Sequence, residues 1–227
     1  MTQKSASYKI LKTELRLPCG AILKNRLAKS PMSDSLGDGE GNPTEAQIRL
    51  YERWAEGEIG ISFIGEVQID PRFPEKPGNL VLGKQSSTKI LKQLTSRATI
   101  NGAHLWAQLG HAGALSHLPI SKPKGPSALD INGLTCAGMT IENIQELIPM
   151  YARAALNAKK MGFSGVHIHA GHGFLLSQFL SPLFNHRTDE YGGSIEARSR
   201  IILEIIVAIR NAVGPAFPVG IRINSTD

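Results

Sequence analysis

Three histidines lie within six positions of the segment GVHIHAGHGF at 165–174: His167, His169 and His172. The apolar residues around the first two predict a strand, so His167 and His169, two positions apart, point to the same face. His169 is nearest the strand end, and His172 follows in the loop. Imidazole N–H donors at His169 and His172 would stabilise negative charge on a carbonyl oxygen, while a His-x-His pair at a strand end is also typical of metal ligands. His167 lies deeper and is interpreted as a core histidine.

Two further predicted strand ends carry polar side chains. Gln108 in AQLGHAG both donates and accepts hydrogen bonds, so it suits the edge of an amide-containing ring; a strand-end cap is the alternative. Arg222 in VGIRIN lies on an apolar strand and needs an anionic or electron-rich partner. An ion pair with Glu66 is the simpler structural interpretation of Arg222.

The elements that must position these residues alternate between strand and helix patterns. Strands are predicted at 26–33, 60–69, 103–110, 163–170 and 218–224, after a β-hairpin at 15–25, and helices at 44–57, 87–102, 140–162 and 194–214. Pro149 is expected to divide the third helix, and 111–138 is expected to be a long loop. The strands are apolar without clean alternation, which is typical of a parallel α/β sheet covered on both faces. A complete β/α barrel has eight such strands, so a barrel built from these five is incomplete.

The composition is that of an ordinary globular chain. It has 227 residues, 41% apolar and 19% charged, with a net charge of +6. The lysines and arginines are spread along the chain and mixed with acidic residues, which argues against a nucleic-acid partner. No apolar run approaches the ~20 residues of a membrane-spanning helix, so no membrane partner is expected.

Cysteine usage points to a reducing compartment. Cys19 and Cys136 are far apart and belong to no paired motif, which argues against a disulfide framework or a structural zinc site. Residues 1–18 contain no apolar core of signal-peptide length. A cytoplasmic location is therefore expected.

The most specific motif of the chain begins with the three histidines. HIHAGHGFLLSQFLSPLFNHRTDEYGGSIEARSRI closely resembles the signature region of the Old Yellow Enzyme family, the NADH:flavin oxidoreductase/NADH oxidase group. LKNRLAKSPMS, AQLGHAG and VGIRIN match its other landmarks in the same order, so the resemblance extends from about Leu15 to Asn224. It implies a β/α (TIM) barrel, here about the first five βα units with an N-terminal β-hairpin. Residues 1–227 are then a single FMN-binding oxidoreductase domain.

The resemblance also implies an activity. NAD(P)H gives a hydride to non-covalently bound FMN, and the flavin passes it to an activated alkene of the enone type or to another small-molecule acceptor. A homo-oligomer is left open.

Individual residues take roles from the same resemblance. Pro31, Met32 and Ser33 would lie along the flavin ring with help from Ser30, Gly65 would offer its backbone, Gln108 would bind the pyrimidine edge, and Arg222 would stabilise negative charge on the reduced flavin. His169 and His172 would hold the substrate carbonyl oxygen and so polarise the alkene. No metal ligand is implied.

The chain departs from the family pattern at several positions. Many members have a proton-donating tyrosine where this chain has Phe174, and the arginine that usually follows HAG is Ala114 here. Phenylalanine has no acidic proton and cannot act as a general acid. Because the family's phosphate-binding loops follow strands seven and eight, a chain ending after the fifth strand is expected to be truncated at its C-terminus relative to the family.

Two alternative functions are weighed, one from these departures and one from the His-x-His pattern. The first is a catalytically impaired barrel fragment that acts only as a binding or assembly partner. The second, more remote, is a metal-dependent barrel hydrolase with His167 and His169 as ligands. It needs further ligands at other strand ends, for which Asp227 is the late candidate.

Overall fold

The structure is a computed structural model that describes residues 4–83, 87–131 and 133–225, with side chains described from residue 8 onward. Its helices are α1 (Lys4–Leu11), α2 (Glu45–Glu56), α3 (Thr88–Ala98), α4 (Ile141–Lys160), α5 (Leu175–Leu180) and α6 (Ile195–Val213). Its strands are β1 (Leu15–Arg16), β2 (Ile22–Leu23), β3 (Ala28–Lys29), β4 (Ile61–Gln68), β5 (Leu80–Val81), β6 (His104–Gly110), β7 (Lys124–Gly125), β8 (Leu129–Ile131), β9 (Leu134–Gly138), β10 (Gly165–Ala170) and β11 (Val219–Ile223).

Five parallel strands form the central sheet, in the spatial order β11-β10-β6-β4-β3, and the short β5 pairs with β4. The register places His169 of β10 beside Arg222 of β11, and His167 beside Gln108 of β6. Because the strands are parallel, their carboxyl ends meet at one edge. The five predicted strands are confirmed, and so is the N-terminal hairpin, since β1 and β2 pair antiparallel.

Helices cover the outer face of the sheet because the strands present apolar side chains there. Ile168 of β10, Leu94 of α3 and Ile205 of α6 all belong to the main core and have no exposed surface. Along β10 the apolar side chains alternate with His167 and His169, which therefore face the inner side of the curved sheet. Because the apolar side chains of each strand pack against the helices, the alternate side chains of that strand face the interior.

Local capping sets the start of three of these helices. The side chains of Thr44, Thr140 and Ser194 each accept a hydrogen bond from the backbone N–H three residues later. Such a cap stabilises a helix by about 1 kcal/mol. The helix starts predicted at these residues are confirmed.

A floor of apolar side chains closes the amino end of the interior. Trp106 of β6 packs there against Leu23 of β2 and Ile61 of β4. Gly165 of β10 makes room for the indole, because a Cβ at this position would lie 2.5 Å from the Trp106 ring. The hairpin therefore packs against the amino ends of the strands. The polar side chains lie towards the carboxyl ends.

Helix α4 runs unbroken through Pro149, so the predicted division of this helix is wrong. The proline ring lies on the exposed face, while Leu147 and Tyr151 on either side are buried in the core. The proline ring is accommodated on the solvent side of the helix, and packing of the buried face holds the helix together.

The segment 111–138 is not a simple loop, and that prediction is also wrong. It contains a small sheet in the order β7-β9-β8. Arg187, far along the chain, donates hydrogen bonds to the carbonyl oxygens of Pro126 at 2.7 Å and Met139 at 2.6 Å. A contact over such a sequence separation leaves no trace in the local pattern. Among the helices that the structure describes, none is both long and apolar enough to cross a membrane.

Candidate active site at the carboxyl ends of the strands

Residues from three strand ends meet around Gly65. Gly65 forms an isolated parallel bridge with Ser33. A Cβ on Gly65 would lie 3.0 Å from Oε1 of Gln108, 3.1 Å from Cβ of Pro31 and 3.3 Å from the backbone nitrogen of Met32. The structure therefore brings these five predicted cofactor residues together, and the missing side chain lets Gln108, Pro31 and Met32 approach the backbone of β4 closely.

The serines beside this group differ in their surroundings. The Ser33 hydroxyl accepts a hydrogen bond from the side-chain amide of Asn79 at 3.1 Å, which fixes its position. Ser30 is exposed. Met32 is 65% exposed, although it is a large apolar residue. An exposed thioether offers an apolar surface on which a ring can rest.

Gln108 is held by the deepest of the three histidines. Its side-chain amide lies 3.2 Å from Nδ1 of His167. Burial, chiefly, lowers the pKa of His167 to about 4, so this ring is neutral near pH 7 and Nδ1 is free to accept the amide proton. The pairing aims Oε1 of Gln108 towards Gly65. The interpretation of His167 as a structural histidine agrees with this contact.

His169 and His172 lie side by side, and Phe174 completes the group. The ring centroids of His169 and His172 are 5.2 Å apart in an edge-on arrangement, and Phe174 lies 5.0 Å from His169. His169 is buried, whereas His172 is exposed. The left-handed backbone of His172, with φ of 57°, is held by its N–H, which donates to Oδ1 of Asn224 at 2.9 Å. The structure thus brings both predicted catalytic histidines together.

Arg222 reaches the same interior from the neighbouring strand. The residue two positions before it, Gly220, faces His167, because a Cβ there would lie 3.1 Å from the imidazole. Arg222 therefore faces inward as well. Its positive charge, after burial, contributes to lowering the pKa of His172. Within the described residues its guanidinium forms no ion pair or hydrogen bond, and the expected alternative of an ion pair with Glu66 does not occur.

Two side chains of the site have contacts that the sequence does not predict: Glu66, expected only as an ion-pair partner of Arg222, and Gln178. Glu66 is 6% exposed, and its Oε1 lies 2.7 Å from Nδ1 of His169. Gln178 of α5 is fully buried; it accepts from the N–H of Ala114 at 3.1 Å and donates to the carbonyl of Gly173 at 2.7 Å. Gln178 thereby ties the loop after β6 to the loop after β10. Its only sequence signal was a polar residue inside a short apolar helix.

The segment NHRTDEYGG at 185–193 forms a polar network. Nε of Arg187 donates to both oxygens of Asp189, at 3.0 and 3.1 Å. The Tyr191 N–H donates to Oδ1 of Asp189 at 3.1 Å, but its hydroxyl reaches Glu204 on α6, also at 3.1 Å. The segment therefore joins α5 to α6 and lies apart from the histidine pair.

The described residues give little support to the alternative of a metal-dependent hydrolase with His167 and His169 as ligands. Across 4–83, 87–131 and 133–225, no group of three or more His, Cys, Asp or Glu side chains is placed to hold a metal ion. Nδ1 of His167 is occupied by Gln108. Asp227 lies outside the described residues.

Comparison with known proteins identifies the family. The model of the NADH:flavin oxidoreductase / NADH oxidase family matches residues 20–227. The chain belongs to this family. The resemblance carried by the histidine segment is thereby confirmed.

Relatives and solved structures agree with this assignment. The NADH-dependent flavin oxidoreductase iliE of Hypocrea jecorina is 33% identical over 237 residues, which cover 94% of this chain and 59% of that protein. A 2-naphthoyl-CoA reductase structure superposes with a TM-score of 0.91 at 30% identity, covering 97% of this chain and 36% of the other. An Old Yellow Enzyme homologue from Zymomonas mobilis gives a TM-score of 0.86 at 25% identity, covering 93% and 62%. The predicted fold class, part of a β/α barrel, is confirmed, and the chain spans less than two thirds of the length of each of these proteins.

Proposed function

We propose that the chain is part of an FMN-dependent oxidoreductase that passes hydride from NAD(P)H to an activated alkene of the enone type or another small acceptor. The observation that carries this proposal is the meeting of Gly65, Gln108, Arg222, His169 and His172 at one edge of the sheet. Residues 1–227 then act as a single FMN-binding domain.

The residues around Gly65, together with Arg222, have the chemistry that an isoalloxazine ring needs. FMN, when bound, supplies the ring that takes up and releases hydride. Pro31, Met32 and Ser33, with Ser30 beside them, would line the ring, and Gly65 would let it approach the backbone. The amide of Gln108 would pair with the pyrimidine edge. The unpaired guanidinium of Arg222 would stabilise negative charge that develops on the ring.

The histidine pair would orient the acceptor. His169 and His172 would contact the carbonyl oxygen of an enone and draw electron density from its alkene. Burial, chiefly, lowers the pKa of His172, so this ring is neutral near pH 7. The bond from its N–H to Asn224 fixes the loop that carries it.

We place the protein in the cytoplasm. The support is cysteine usage: Cys19 and Cys136 are both free thiols, as a reducing compartment requires.

The visible absorption spectrum of the purified chain, with and without added FMN, tests the proposal. Flavin bands are expected to co-elute with the protein and to bleach on addition of NAD(P)H. Gln108→Leu should weaken FMN binding about fivefold, the effect of one lost hydrogen bond of about 1 kcal/mol. The matched control is Gln93→Leu on the exposed face of α3, which should bind FMN as the wild type does.

A colourless chain that ignores FMN would contradict the proposal that residues 1–227 by themselves form an FMN-binding domain. It would instead favour the catalytically impaired binding partner. The exposed apolar side chains of Leu203 and Val207 on α6, at 58% and 59%, are compatible with that second candidate. Equal loss of FMN in Gln108→Leu and Gln93→Leu would contradict the assigned role of Gln108.

Arg222→Met should lower the reduction potential of bound flavin by roughly 30 mV. A charged hydrogen-bond donor contributes about 1.5 kcal/mol, and for a two-electron couple 30 mV corresponds to about 1.4 kcal/mol. The sign follows from charge: loss of the cation destabilises the anionic reduced ring more than the neutral oxidised ring. Equilibration of the bound flavin with a redox dye measures the shift. Arg200→Met, on the exposed side of α6, is the control, and an equal shift there would argue against a specific contact.

A further inference from the structure

A cluster of buried polar atoms lies behind the histidine pair, and the proposed function leaves it without a role. Oε2 of Glu66, the hydroxyl of Tyr151 and both ring nitrogens of His169 are inaccessible to solvent and lack a hydrogen-bond partner among the described residues. Buried polar groups in folded proteins are nearly always paired. Four such atoms in one place indicate that the group is arranged for a purpose other than packing.

A β-bulge turns Glu66 into the interior. The pairing of β4 with β6 shifts between Ile64 and Val67, so Gly65 and Glu66 together stand opposite Gln108. An extra residue in one strand redirects side chains, and bulges of this kind occur next to active sites. Without the bulge, strict alternation would place Glu66 on the outer face against the helices.

Gly110 leaves the space that the carboxylate occupies. A Cβ at this position would lie 2.6 Å from Oε2 of Glu66. A carboxylate with so little exposure is costly unless it has a partner. The nearest basic group is His169, whose Nδ1 lies 2.7 Å from Oε1, although without the angle of a hydrogen bond.

The groups around Glu66 and His169 come from α4, β10, the loop after β10 and β11. Tyr151 of α4 lies within the influence of the charge on Glu66: burial, chiefly, and that charge raise the pKa of Tyr151, so it remains a hydroxyl that can donate. His167 precedes His169 on β10 and His172 follows in the loop, and both rings are neutral near pH 7 because burial lowers the pKa of each. Arg222 on β11 is the neighbouring cation. Glu66 is therefore the only carboxylate that the structure places against His169 among the described residues.

We propose that Glu66 is a positioning residue that holds a ring proton on Nδ1 of His169, so that Nε2 is the nitrogen presented to the ligand. A small rotation of the carboxylate completes the hydrogen bond at the distance already present. This inference deepens the proposed function and rests on it for what the ligand is.

The proposal changes how His169 recognises an oxygen atom. With one proton, on Nδ1, the ring offers only a lone pair at Nε2. A phenol or enol can donate its own O–H to that lone pair. A carbonyl or phenolate oxygen needs a donor, which His169 offers only in its doubly protonated form, with the second proton on Nε2 against the ligand oxygen. The carboxylate of Glu66 balances the charge of that imidazolium.

Nitrogen-15 NMR of histidine-labelled full-length chain, without flavin, tests the proposal. The two ring nitrogens are followed as the pH is raised until each ring carries one proton, and His169→Gln identifies the His169 signals. In the wild type, Nδ1 of His169 is expected to stay protonated and Nε2 to be bare. In Glu66→Leu the proton is expected to move to Nε2 in most molecules. Tyr151→Phe keeps the carboxylate and should keep the proton on Nδ1.

Two results would overturn the role proposed for Glu66. A wild-type His169 with its proton on Nε2 would overturn the proposal without any variant, and so would an unchanged tautomer in Glu66→Leu. If Glu66→Leu fails to fold, the wild-type measurement still decides. This experiment contains no flavin. A result that contradicts the role of Glu66 therefore does not contradict the proposed FMN binding. A chain that ignores FMN but holds the proton on Nδ1 would overturn only the proposed function.

Discussion

Phe174→Tyr is expected to raise the single-turnover rate of alkene reduction by the flavin-loaded chain about 10²-fold. That figure is the lower end of what a positioned general acid contributes. The Phe174 ring lies 5.0 Å from His169, beside the site proposed for the acceptor, and has no proton to give. A hydroxyl on this ring would supply the proton that the α carbon needs after hydride transfer. Rapid mixing of reduced protein with an enone measures the rate.

The matched control is Phe184→Tyr. Phe184 packs against the cluster of Ala114, Leu129 and Cys136, so a hydroxyl there should leave the rate unchanged. An unchanged rate in Phe174→Tyr would mean that water or another side chain already supplies the proton. Equal acceleration in both variants would mean that the added hydroxyl does not act at the site.

Phe179→Ala is expected to lower the free energy of unfolding by about 3–5 kcal/mol. Phe179 of α5 has no exposed surface, and its loss leaves a cavity in the main core that the surrounding structure fills only in part. Urea unfolding followed by circular dichroism measures the change. The same truncation at Leu183, which is 67% exposed, should change stability by less than about 0.5 kcal/mol.

The variants at Phe179 and Leu183 also test whether α5, which carries Gln178 against the site loops, is held by close packing in the core. Gln178 precedes Phe179 on α5 and holds the loops of Ala114 and Gly173. A loss below about 1 kcal/mol in Phe179→Ala would contradict the close packing of α5 and remove the support that we assign to this helix.

The sequence by itself determined much of the architecture, because the relevant signals are local. The caps at Thr44, Thr140 and Ser194 and the apolar spacing behind them predicted three helices correctly. The two-residue period of β10 placed His167 and His169 on one face, and the motif around them identified the family that the comparison confirms.

Only the tertiary structure decided which side chains surround those histidines. Glu66 faces His169 because a bulge interrupts the alternation of β4, and a bulge depends on how the neighbouring strand pairs. Arg187 organises the small sheet of β7, β8 and β9 from many residues away, and burial of Leu147 and Tyr151 keeps α4 whole across Pro149. Contacts between distant segments override local propensity wherever they bury more surface or satisfy more hydrogen bonds than the local pattern does. The family and the strand order could therefore be predicted from the residues, whereas the environment of His169 could not.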